Sequence, residues 1–103
     1  MSDETDKRLL DEMKGLLTEQ IMLARQDRLG DVEMGCRKLG ALLEKIAPAG
    51  ALGRARFAAE RERLTGLYSE LCLILASRKA ALGEELAVVR RGKRIIEIYG
   101  SCM

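Results

Sequence analysis

The chain has 103 residues, so it forms one domain at most. Lys plus Arg is 18 and Asp plus Glu is 16, a net charge of only +2, which argues against a general polyanion binder. The absence of histidine excludes the commonest general base, His-activated Ser or Cys nucleophiles and most zinc sites.

With 48% hydrophobic residues, 33% charged, one proline and no tryptophan, the composition is that of packed helices. Three cysteines, Cys36, Cys72 and Cys102, form no Cys-x-x-Cys pair, and reduced thiols of a cytoplasmic protein are expected. The N-terminal Met-Ser-Asp-Glu-Thr-Asp is acidic and unlike a secretory signal, and no apolar run approaches a membrane span.

Ser2 or Thr5 offers a helix cap, followed by acids suited to a first turn. Leu10, Met13, Leu17, Ile21 and Ala24 follow at steps of three and four. A second series, Met22, Arg25, Leu29, Val32, Cys36, Leu39, Leu43 and Ile46, alternates three and four and reads as a coiled-coil seam. It stays in phase through Gly30-Asp31. A helix over about 5–47 is therefore expected, with a break at Gly30-Asp31, giving three helices, as the alternative.

The segment Ala47 to Gly53 holds the only proline, Pro48, and two glycines; it predicts a loop over 48–53. Downstream, Phe57, Arg61, Leu64, Tyr68, Leu71, Leu75, Arg78 and Leu82 keep the same alternation. After one four-residue stutter, Leu86, Val89, Lys93 and Ile96 continue it. A second helix over about 54–98 follows. Each helix would be roughly 65 Å long at about 1.5 Å per residue. The expected fold is all-α, a single domain over 1–103, built as a long antiparallel helical hairpin.

Leu9, Leu16, Leu23, Leu42, Leu67, Leu73, Ile74, Val88 and Ile95 lie outside these seams, so a third surface must cover them. It could be a segment of the same chain, if Gly30 breaks the first helix, a second copy or a partner protein; two hairpins in a homo-oligomer are the expectation. Adjacent acids such as Glu84-Glu85 point about 100° apart on a helix and do not converge. Neither a phosphate loop nor a nucleophile elbow occurs. The expectation is a protein without enzymatic activity, metal or cofactor.

The basic cluster Arg90, Arg91, Lys93 and Arg94 lacks interleaved aromatics and suits a helix C-terminus, so nucleic acid is not an expected ligand. Between Leu86 and Tyr99 the apolar residues circle the helix. A partner-binding surface is therefore expected at Val88, Val89, Ile95, Ile96, Ile98 and Tyr99.

Two stretches resemble flagellar export chaperones of the FlgN and FliT type. One runs from Leu29-Gly-Asp-Val-Glu through Arg37-Lys-Leu-Gly-Ala-Leu-Leu-Glu-Lys-Ile46. The other is Glu85-Leu-Ala-Val-Val-Arg-Arg-Gly-Lys-Arg-Ile-Ile-Glu-Ile-Tyr-Gly100, where a basic run leads to an aliphatic stretch and a tyrosine-glycine end. The resemblance implies a cytoplasmic chaperone, free of ATP, that holds a helical end of a flagellar axial protein, hook-associated or cap-type, for the export apparatus. The alternative from another class is a homodimeric coiled-coil scaffold or interaction module unrelated to flagella.

Overall fold

The computed structural model describes residues 3–78 and 83–101. The chain is all-α, as the three-four spacing requires. Four α-helices, α1 (Asp3–Arg25), α2 (Leu29–Ala49), α3 (Ala58–Ser77) and α4 (Gly83–Ser101), account for most of the described residues. Two 3-10 turns, Ala51–Gly53 and Ala55–Phe57, join α2 to α3.

The two long helices of the sequence reading are each divided, and the bundle is only 38 Å long. The first division falls at 26–28, not at Gly30-Asp31. Asp27 adopts a left-handed conformation with φ 57°. The Arg28 N–H donates to the Leu23 carbonyl at 3.0 Å and the Asp27 N–H to the Ala24 carbonyl at 3.2 Å. This is the paired bonding that closes a helix at a left-handed residue, a conformation aspartate enters more readily than most. The Arg78 guanidinium sits 2.7 Å from the Asp27 carboxylate and holds the corner.

The in-phase seam across this break is consequently not one stripe. Val32, Cys36, Leu39, Leu43 and Ile46 are buried, whereas Met22 is 56% exposed and Leu29 lies at the surface. The core of α1 is the other series, Leu10, Met13, Leu17, Ile21 and Ala24. Pro48 is tolerated in the last turn of α2, which ends at Gly50 with φ 79°, two residues beyond the expected stop.

The second division falls between Ser77 and Gly83, where the stutter lies; its Leu82 is outside the described residues. Phe57, Arg61, Leu64, Tyr68, Leu71 and Leu75 are buried along α3, and Val89 and Ile96 along α4.

The helices pack as two antiparallel hairpins, α1 with α2 and α3 with α4. Across the bundle α1 packs on α3, and α2 on α4. The 3-10 turns cross the diagonal from α2 to α3, so each of these cross-bundle pairs runs parallel. Leu52 and Phe57 bury their side chains at this crossing. Buried Arg61 donates to the Leu52 carbonyl at 2.6 Å, which explains a base on an apolar seam. Fully buried Asp6 of α1 pairs with Arg54 of the crossing.

Most of the leucines outside the seams are covered within the chain. Leu42 is buried, and Leu9, Leu16, Leu23, Leu67, Ile74 and Ile95 pack on the core rim. Completion of a four-helix bundle therefore needs no second copy.

Candidate partner-binding groove

The α2/α4 pair is the least tightly packed of the four helix pairs. A groove of about 380 Å³ opens between them. Its floor is Cys36, Gly40 and Val88. Gly40 leaves this space open, with nothing within 4 Å of where a Cβ would stand, and beneath the groove Gly92 admits the ring of Tyr68. Carboxylates dominate its walls: Glu33 and Glu44 from α2, Glu84 and Glu85 from α4, against Arg37 and Arg91. Glu33 and Arg37 face each other at 3.5 Å.

The six residues expected to bind a partner do not form one patch. Val89 and Ile96 are spent on the core, at 1% and 0% exposure. Val88 is half-buried at the groove floor, and Ile95 is partly buried against the core. Tyr99 is partly buried and its hydroxyl donates to the Ala47 carbonyl of α2 at 3.3 Å. Residues 88, 95 and 99 are spaced seven and four apart, so they share the side of α4 turned toward α2. Ile98 alone stands out, at 54% exposure.

The basic cluster is split in the same way. Arg91 borders the groove, while Arg90 and Lys93 lie near Cys72 of α3 and pull its thiol pKa down against the larger upward push of burial. The groove acids were not legible as a set. Glu84 and Glu85 diverge on their own helix, and only the parallel packing of α2 beside α4 gathers them with Glu33 and Glu44.

The thiol of Cys36 is pushed up to about 12, first by burial and then by the Glu85 carboxylate. It is a packing residue with almost no thiolate at neutral pH, unsuited to nucleophilic work. Among the described residues no three His, Cys, Asp or Glu side chains are grouped to hold a metal ion. No helix among them is long and apolar enough to cross a membrane. What the groove offers is shape, a short apolar floor and a negative rim, which suits a helical ligand.

No family model matches the chain, and neither a curated protein nor a solved structure matches it.

Proposed function

We propose that the chain is a non-enzymatic cytoplasmic chaperone of the flagellar export type. It binds a helical end of an axial protein, hook-associated or cap-type, and presents it to the export apparatus. One observation supports this reading above others. The two stretches that resemble such chaperones, 29–46 and 85–100, are far apart in sequence. They lie in α2 and α4, the two walls of the open groove.

A client helix would lay its apolar side on Val88 and Gly40 and set Lys or Arg residues against the glutamates of the rim. Exposed Ile98 extends the apolar surface toward the end of α4. The test is co-purification and titration calorimetry with the terminal helical segments of flagellar axial proteins. Wild type should bind stoichiometrically. Val88→Asp should weaken binding at least tenfold while circular dichroism stays helical. Equal binding by wild type and Val88→Asp would move the site elsewhere, and no binding to any axial segment would overturn the reading.

A further inference from the structure

Across Ala41 from the α2/α4 groove, a second groove of about 490 Å³ runs along the outer face of the α1/α2 hairpin. Its two walls differ in sign. Glu12 and Glu19 stand on α1, and Lys38 and Lys45 on α2. Each pair is seven residues apart, two helical turns, so each forms a row along the bundle. All four are exposed. Among the described residues none of the four has an ion-pair partner.

The register of the hairpin is fixed where Gln20 abuts Gly35; a methyl on Gly35 would collide with the Gln20 amide. Stepping along the antiparallel helices from that contact sets Glu19 level with Cys36 and Glu12 level with Leu43, so Lys38 and Lys45 each lie two residues, about 3 Å along the axis, from their glutamates and within reach of these long side chains. Between the rows lies an apolar strip. Leu16 lines both the groove and an adjoining hollow that reaches half-buried Leu23 and Met34, which is 60% exposed. At mid-height Gly15 has open space above it and Ala41 is exposed, so another helix can approach closely.

We infer that this face docks a second copy of the chain about a two-fold axis parallel to the helices. That operation puts α1 of each copy against α2 of the other and leaves every residue at its own height. Glu12 then meets the second copy's Lys45, and Glu19 its Lys38, and symmetry repeats both pairs. A two-fold across the helices would set α1 on α1 and α2 on α2, glutamate on glutamate and lysine on lysine. The charge rows therefore select one of the two face-to-face dimers and reject the other. The four partners also explain the exposed Met34, which meets the other copy's α1 near Leu23. This face meets the α2/α4 groove along Ala41, which lines both, while its charged rows stand outside that groove.

The experiment is sedimentation velocity on the full chain and two wall variants. Wild type should form a species of twice 11.4 kDa that weakens as salt rises. Glu12→Lys with Glu19→Lys makes both walls basic. Lys38→Glu with Lys45→Glu makes both acidic. Each variant alone should lose at least tenfold in association constant while remaining helical. An equimolar mixture of the two should recover the dimer. A wild type that stays monomeric up to its solubility limit overturns the inference and leaves the face to another chain. So does a dimer indifferent to both variants, or variants that fail to pair when mixed.

Discussion

The ring of Tyr68 lies against the backbone of Gly92: a methyl built on that glycine falls 2.9 Å from both Cε1 and Oη of the tyrosine. Tyr68 is 2% exposed, and Gly92 is what lets α4 pass over it. Gly92→Ala should therefore destabilise the fold. Alanine gains about 1 kcal/mol of helix propensity but overpacks the core at a cost of about 1–3 kcal/mol. The expected net loss is up to about 2 kcal/mol, read from urea unfolding. Combining it with Tyr68→Leu should cost less than the sum of the two single changes. Strict additivity would mean the two residues do not press on each other.

Gly66 is the contrasting case. It lies inside α3 with nothing within 4 Å of where a Cβ would stand. Gly66→Ala should stabilise by about 0.5–1 kcal/mol, since only the helix propensity changes. A drop in the unfolding midpoint would show that this face of α3 is occupied.

The Asp6–Arg54 pair ties the start of α1 to the diagonal crossing. Asp6 is fully buried, while the Arg54 side chain is 33% exposed. Removing the arginine strands a buried carboxylate, so Arg54→Met should cost about 3 kcal/mol. Asp6→Asn leaves the arginine access to water and should cost less. Thermal unfolding of the two variants decides the order, and equal losses would contradict the asymmetry of burial.

Alkaline pH should loosen the bundle. Burial and Glu85 hold the Cys36 thiol near 12, against 9.0 for an ordinary thiol, and burial also pushes the Tyr68 phenol up. The folded chain keeps these protons where the unfolded chain releases them. Stability is thus fully present below about pH 9 and falls as pH rises toward 12. Denaturant midpoints measured across that window should decline, and Cys36→Ala should flatten the slope. A slope unchanged in the variant would assign the effect to other groups.

The helical class, the core of α1 and the α3 seam were legible because each is a short-range spacing of apolar side chains. The helix divisions were harder to read. Leu29 to Ile46 stays in phase with Met22 and Arg25, and phase alone does not reveal that Asp27 has turned left-handed. Its signature is an aspartate followed by Arg28 and answered by Arg78 more than fifty residues on. The α2/α4 groove was legible only in part. Val88, Ile95 and Tyr99 could be placed on one side of a helix, but the glutamates across from them depend on which helices become neighbours. That depends on the diagonal crossing, where Arg61 meets Leu52, and periodicity carries no information about it.

The diagonal crossing also sets the timing of assembly. The α1/α2 hairpin is complete before α3 begins, yet its inward stripe of Leu10, Met13, Leu17, Leu39, Leu43 and Ile46 is covered only when the second hairpin arrives. On a ribosome adding about 5–20 residues per second, the second half takes roughly 2–9 s to emerge. For that interval the newborn N-terminal half is a sticky, two-helix intermediate, and a chain cut after Ala49 would remain one permanently.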